Sequence, residues 1–133
     1  MAIRKILLSN FRSFDNLEVD LSNLNVLIGA NASGKSNFIQ VFKFLKDMVE
    51  FGLDNAISMQ GGLEYLLNSK IGTSHEFSVE VVSDTPEYYH PHIYGSRREG
   101  YGCEAVETSY GFALSFGNRR RRFEIVKDIL RQK

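Results

Sequence analysis

The stretch Gly29-Ala30-Asn31-Ala32-Ser33-Gly34-Lys35-Ser36 decides the fold of this chain. It fits the pattern Gly-x-x-x-x-Gly-Lys-Ser/Thr, in which glycines let the backbone curl so that successive N–H groups point at phosphate oxygens. The lysine of such a loop reaches the β- and γ-phosphates of a nucleotide, and the serine or threonine hydroxyl ligates Mg²⁺. We therefore predict a phosphate-binding P-loop, or Walker A motif, with Ser36 as the metal ligand.

The residues on both sides of this stretch favour the same interpretation. Residues 24–28 form a short apolar run, which predicts a buried strand leading into the loop. A helix is predicted from Lys35 to about Glu50, with Gly52 as its stop. Its apolar stripe comprises Phe38, Val41, Phe42, Leu45, Met48 and Val49. The alternative is a chance match in a Gly/Ser-rich turn, which the flanking strand and helix disfavour.

Composition restricts the class of protein. The 133 residues suffice for one domain or one lobe of a larger domain, and 43% of them are apolar. The formal net charge is zero, so no global field recruits DNA or a membrane. The single cysteine, Cys103, excludes an internal disulfide and is compatible with a reducing cytoplasm, where we expect the protein to reside. No stretch is long and apolar enough to span a membrane.

Histidines and the cysteine are too sparse to predict a metal centre. His90-Pro91-His92, His75 and Cys103 do not form the two closely spaced ligand pairs that zinc sites prefer. We interpret these histidines as loop residues. Magnesium, held at Ser36, is the one metal ion that the sequence predicts.

Further elements follow the pattern of apolar residues. Strands are predicted at residues 3–10 and 17–21 before the loop, and at 75–82 and 110–116 after it. Gly117-Asn118 is a hairpin turn signal, and a return strand is expected at 119–126. Residues 123–130 fit either a strand or a helix.

Two segments resemble a known group of proteins. Asn10-Phe11-Arg12-Ser13-Phe14, followed by a strand and by residues 29–37, resembles the N-terminal segment of SMC/RecF-like ATPases of the ABC-ATPase group. The resemblance is closest to bacterial predicted AAA-family ATPases, including those paired with nucleases in phage defence. It is strong over residues 5–45 and weaker over the remaining chain.

The resemblance implies an α/β fold: a P-loop NTPase half-domain with a mixed β-sheet, one main P-loop helix and an antiparallel arm sheet. The expected division is a P-loop core at residues 1–52, a helical connector at 53–74, an antiparallel arm at 75–126 and a tail at 127–133. The whole chain would then be a single N-terminal lobe of an ATPase head.

The resemblance also implies which residues hold ATP. Arg12 is expected beside the nucleotide phosphates, because arginine presents several fixed donors to phosphate oxygens; without the resemblance it would be a solvated turn residue. Ala32 stands where many relatives have glycine, which is acceptable if its φ is negative. The expected ATP-binding residues are Arg12, Gly29, Asn31, Ala32, Ser33, Gly34, Lys35, Ser36 and Asn37.

The residues that would hydrolyse ATP are not found. Hydrolysis needs a second Mg²⁺-organising acid and a group that orients water. Asp84 is the best candidate for that acid, but it follows a half-exposed strand pattern and precedes Thr85. We interpret the chain as the first half of an ATPase head, which would bind nucleotide with little turnover. Its missing C-terminal half or a second head would complete an ATP sandwich.

Two functions stay open at this point. The first is ATP binding within an ATPase that serves DNA maintenance or phage defence. The second is a non-catalytic nucleotide-binding module that docks with a partner ATPase or nuclease. Four arginines, Arg119, Arg120, Arg121 and Arg122, fit either a charged strand edge or a contact with DNA phosphates.

Overall fold

The computed structural model describes residues 2–84, 107–117 and 123–133. Within these ranges the elements follow in this order along the chain: β1 (Ile3–Phe11), β2 (Phe14–Asp20), α1 (Lys35–Phe51), α2 (Leu53–Met59), α3 (Leu63–Leu66), a 3₁₀ turn (Gly72–Ser74), β3 (Phe77–Ser83), β4 (Thr108–Phe116) and β5 (Phe123–Gln132).

The five strands form one antiparallel sheet in the order β2-β1-β3-β4-β5. β1 and β2 are a hairpin whose last pair is Phe11 and Phe14, so Arg12 and Ser13 make the turn. Apolar and charged residues alternate in β2, as expected for a strand with one face toward solvent. The apolar side chains are half-buried and the charged ones are exposed.

The core lies between the helices and one face of this sheet. Phe38, Val41 and Phe44 on α1 are buried at three-residue steps. The ring of Phe44 packs against Phe77 with centroids 5.8 Å apart, and against Phe11 at 6.3 Å. α1 therefore fixes the position of the residues just before its first turn.

The predicted helix is confirmed, because α1 spans 17 residues from Lys35 to Phe51. Gly52 follows it at φ 83° and donates its N–H to the carbonyl oxygen of Met48 at 3.0 Å. This positive φ, which glycine adopts easily, ends the helix where the sequence predicted.

The predicted buried strand at residues 24–28 is wrong. This segment has no regular secondary structure, and Leu24 and Ile28 expose 81% and 90% of their surface. A strand needs a neighbour for its backbone groups, and none of the five described strands lies beside this segment. Its apolar side chains therefore remain in solvent.

The predicted mixed sheet with a separate arm is also wrong among the described residues. β3 pairs with β1, so the strands assigned to an arm share one sheet with the strands before the loop. β5 is a strand that extends to Gln132, which places the predicted tail at residues 127–133 inside the sheet. The segment that fitted either a strand or a helix is thus a strand.

Several sequence predictions fall on residues outside the described ranges. These are His90, His92, Cys103, Arg119, Arg120, Arg121 and Arg122. Among the residues that are described, no helix is long and apolar enough to cross a membrane.

Candidate nucleotide-binding site

The loop of residues 29–34 curls back just before α1. Gly34 has a φ of 93°, and its carbonyl oxygen accepts the first bond of the helix, from the N–H of Phe38 at 2.9 Å. The N–H of Ser33 donates to the carbonyl oxygen of Ala30 at 3.2 Å. The loop therefore closes on itself at the N-terminus of a helix, where free backbone N–H groups and the helix dipole favour an anion.

The side chain of Lys35 points into this loop. Its ammonium donates hydrogen bonds to the carbonyl oxygens of Gly29 and Ala30, the latter at 2.7 Å, and contacts Ser33 Oγ at 3.3 Å. The first turn of α1 contains no acidic residue that would neutralise this charge. A positive charge is thus held by the loop at the place where a phosphate would bind.

Ala32 has a φ of 65°, so the expected negative value is wrong. The left-handed region costs an alanine roughly 1–2 kcal/mol, which a glycine would not lose. The turn from Ala30 to Gly34 holds Ala32 in this conformation. The backbone conformation at position 32 therefore favours glycine, which is the residue that the resemblance implies there for many relatives.

The turn between β1 and β2 packs against the loop. Asn37, in the first turn of α1, donates from its Nδ2 to Ser13 Oγ at 2.9 Å. A Cβ on Gly34 would lie 3.3 Å from the ring of Phe14 and 3.3 Å from Ser13 Oγ. Neither Ser13 nor Phe14 is among the predicted site residues, although both follow Arg12 in the motif Asn10-Phe11-Arg12-Ser13-Phe14.

Gly34→Ala is expected to lower the free energy of unfolding by about 2 kcal/mol. The substitution forces alanine into the left-handed region and presses a methyl group on the Phe14 ring. Urea denaturation measures the change. Gly72→Ala is the matched control, because Gly72 also has a positive φ, 56°, but nothing within 4 Å of the added methyl group. An equal loss in both variants would show that contact with the β1–β2 turn contributes nothing.

Arg12 contacts the helical connector in this structure. Its guanidinium donates to Gln60 Oε1 at 2.5 Å, and its backbone N–H donates to the carbonyl oxygen of Leu66 at 2.9 Å. Arg12 Nε is buried without a hydrogen-bond partner among the described residues. A role for Arg12 at the phosphates stays a prediction. No sequence pattern predicted a role for Gln60, which lies in the predicted helical connector at residues 53–74.

Asn10 organises the backbone on the other side of the same turn. It is fully buried, and its Nδ2 donates to the carbonyl oxygens of Gly72 at 2.8 Å and His75 at 3.1 Å. Its Oδ1 accepts the N–H of Asn68 at 3.1 Å. The first residue of the quoted motif thus holds the segment before β3 in place.

Among the described residues, no cluster of metal-binding side chains accompanies the loop. Asp84, the weak candidate for a metal-side acid, is bound by the guanidinium of Arg4. The described residues contain no group of three His, Cys, Asp or Glu side chains that could hold a metal ion. The Ser36 hydroxyl lies in the first turn of α1, and its role as a ligand of Mg²⁺ stays a prediction.

A closed glycine-containing loop at the start of a helix packed on a sheet is typical of nucleotide-binding α/β domains. The chain belongs to the AAA ATPase domain family, whose model matches residues 1–97.

Curated relatives match the N-terminal part of the chain. RecF, the DNA replication and repair protein of Streptococcus agalactiae, is 46% identical over 46 residues, which are 34% of this chain and 12% of RecF. RecF of Lactococcus lactis is 41% identical over 46 residues, or 34% of this chain and 13% of that protein. Endonuclease GajA of Bacillus cereus is 36% identical over 58 residues, or 42% of this chain and 10% of GajA.

The matched part therefore spans about a tenth of the length of these relatives. The resemblance to SMC/RecF-like ATPases that the sequence predicted is confirmed.

Proposed function

We propose that the chain binds MgATP through the loop of residues 29–36. The observation that carries this proposal is the Lys35 ammonium held inside the closed loop by carbonyl oxygens of Gly29 and Ala30. A triphosphate would supply stronger, charged acceptors for the same ammonium. The backbone N–H groups of residues 31, 32 and 34 would bind the phosphate oxygens, and the side chain of Asn37 would stay bonded to Ser13.

Mg²⁺ would be shared between the phosphates and the Ser36 hydroxyl. We expect Mg²⁺ to raise the ATP affinity of the unaltered chain about tenfold. Ser36→Ala should remove most of this gain. Calorimetric titration with ATP, in Mg²⁺ and in EDTA, measures that gain.

Ser58→Ala is the matched control, because the Ser58 hydroxyl donates to the carbonyl oxygen of Asp54 within α2 and belongs to no loop contact. Our assignment fails if Ser36→Ala retains the full Mg²⁺ dependence of the control.

Hydrolysis would depend on a further part of the protein. The relatives are about ten times longer than their matched segments, and the apolar residues 24–28 have no neighbour among the five described strands. We propose that this segment becomes the P-loop strand when a C-terminal half supplies its neighbours together with the missing acid. The 133-residue chain would then release phosphate at less than about one turnover per second.

ATP would be bound between two such units in the complete protein. Each loop would face residues of a second head, in the ATP sandwich that the resemblance implies. Residues 22–33 of the loop segment are exposed, which leaves this side open to a partner.

The biological setting that we propose is DNA maintenance or phage defence. Its support is the similarity to RecF, a DNA replication and repair protein, and to GajA, an endonuclease. Arg119, Arg120, Arg121 and Arg122 would contact DNA phosphates in this setting. The alternative is a non-catalytic module that docks with a partner ATPase or nuclease. It is favoured by the pairing of Asp84, the candidate metal-side acid, with the guanidinium of Arg4.

A further inference from the structure

Gln60 is a buried polar residue at the C-terminal end of α2, with 6% of its surface exposed. Its backbone N–H donates to carbonyl oxygens in the last turn of that helix, those of Ala56 at 3.2 Å and Ile57 at 3.1 Å. Its side-chain Oε1 accepts a hydrogen bond from the guanidinium of Arg12 at 2.5 Å. The helix therefore fixes the backbone of Gln60, and its side-chain oxygen faces the charge of Arg12.

The charge of Arg12 is not balanced by a carboxylate in the part of the chain that the structure describes. None of the ion pairs found there includes Arg12. Its Nη2 binds the neutral amide of Gln60, and its Nε is buried without a hydrogen-bond partner among these residues. The ring of Phe11 lies 5.9 Å from the guanidinium carbon, a contact that attracts a cation without neutralising it. The guanidinium thus keeps its full charge and an unused donor for an anion.

The backbone of Arg12 lies one residue away from a contact with α1. Arg12 has a φ of 49°, and its backbone N–H donates to the carbonyl oxygen of Leu66 at 2.9 Å. The next residue, Ser13, accepts a hydrogen bond from Asn37, in the first turn of α1, at 2.9 Å. The β1–β2 turn is therefore bonded to the helical connector on one side and to the start of α1 on the other.

The residue type at position 60 determines what happens to the charge of Arg12. A carboxylate there would accept the same hydrogen bond but would also pair with the cation, as Asp84 does with Arg4. An apolar side chain would leave the guanidinium without this acceptor. The amide of glutamine supplies an acceptor and no charge. It therefore orients the guanidinium and leaves its charge available to a ligand.

We infer that Gln60 is a positioning residue for nucleotide binding, which holds the guanidinium of Arg12 in the orientation that binds a phosphate oxygen of ATP. The inference rests on the proposed binding of MgATP at residues 29–36 and adds a residue of the helical connector to that site. Gln60 acts through Arg12, and Arg12 makes the charge-assisted hydrogen bond to the phosphate.

Two substitutions of Gln60 test this role on the 133-residue chain. Gln60→Glu should lower the affinity for MgATP about tenfold, because the new carboxylate pairs with Arg12 and the charge-assisted bond to phosphate is lost. Gln60→Met, of similar size but without a strong acceptor, should lower it about threefold, because Arg12 is no longer held in one orientation. Isothermal titration calorimetry measures both affinities, and urea denaturation checks that each variant is folded.

The Arg12→Ala background separates positioning from a general loss of structure. Arg12→Ala alone should lower the affinity for MgATP about tenfold, and adding Gln60→Glu should change it by less than about twofold, since both substitutions remove the same bond. The matched control is Asn55→Asp, which also turns an amide into an acid on α2, at an exposed position. Its affinity should stay within about twofold of the unaltered chain, because salt screens an exposed charge.

Three results would each overturn the positioning role. These are an unchanged affinity in Gln60→Glu, a higher affinity in Gln60→Met, and an equal loss from Gln60→Glu with and without the arginine at position 12. The unaltered chain tests the proposed function separately. If it binds MgATP and the Gln60 variants bind equally well, the positioning role alone fails. If it does not bind MgATP, the proposed function fails and this inference falls with it.

Discussion

Lys35→Ala is expected to lower the affinity of the chain for MgATP by about 100-fold. The lysine supplies the one side-chain charge inside the loop, and hydrogen bonds between an ammonium and phosphate oxygens are about twice as strong as neutral ones. The loss of two hydrogen bonds between the ammonium and phosphate oxygens, with no group to replace them, accounts for the 100-fold lower affinity. Isothermal titration calorimetry of the two chains with MgATP measures it.

The control is Lys43→Ala, which removes the same side chain from an exposed position on the same helix. Its affinity for MgATP should stay within about twofold of the unaltered chain, since a surface charge this far along the helix is screened by salt. Lys35 also holds carbonyl oxygens of the loop, so urea denaturation of both variants checks that the fold is retained. Equal affinities in the two variants would refute a role for Lys35 in binding phosphate.

Asn10→Ala is expected to lower the free energy of unfolding by about 3 kcal/mol. The substitution leaves two carbonyl oxygens and one N–H without their partner in a fully buried position, and each such group costs about 1–3 kcal/mol when no water replaces the bond. Asn10 also has a φ of 56°, which asparagine tolerates better than alanine. Urea denaturation followed by circular dichroism measures the loss.

Asn16→Ala is the matched control for this change. Asn16 lies exposed on β2, and its side chain donates a hydrogen bond to its neighbour Asp15 at 3.3 Å. Surface substitutions of this kind usually change stability by less than about 0.5 kcal/mol. If Asn10→Ala costs no more than this control, the three hydrogen bonds of Asn10 do not hold the segment before β3.

Local patterns were enough to predict α1 and β4, but not the connection from β4 to β5. Gly117-Asn118 predicted a two-residue turn with a return strand at 119–126, whereas Phe116 pairs with Phe123, where β5 begins, so the predicted register is wrong. The stripe of Phe38, Val41 and Met48 repeats with the period of a helix, Gly52 ends it, and the alternation over residues 110–116 fits β4. Each of these features depends on residues close together in the chain, so the sequence carries the information directly.

Pairing between distant segments was not predicted correctly. Residues 24–28 have the composition of a buried strand, but burial depends on neighbours that no short pattern specifies. β3 was assigned to a separate arm because nothing in its sequence indicates that β1 is its neighbour. The partners of a strand are set by packing over long sequence separations, such as Leu8 beside Val79.

In the candidate site, too, the features set by nearby residues were predicted and the contacts between distant segments were not. The pattern of glycines and Lys35 predicted a closed loop at the start of a helix, and the loop is found there. The packing of Phe14 on Gly34 and the bond from Arg12 to Gln60 join segments far apart in the chain. The positive φ of Ala32 contradicts the preference of alanine, and the geometry of the loop overrides that preference.

The most direct test of nucleotide binding is a titration of the ¹⁵N-labelled chain with MgATP, followed by amide chemical shifts. We predict saturable shifts that are largest at residues 29–37 and small on β3 and β4, because the phosphates would contact the backbone N–H groups of the loop. The same titration of Lys35→Ala should show no saturation over that range. Shifts that spread evenly over the sheet, or no shifts at the loop, would contradict the assignment of this loop as the nucleotide site.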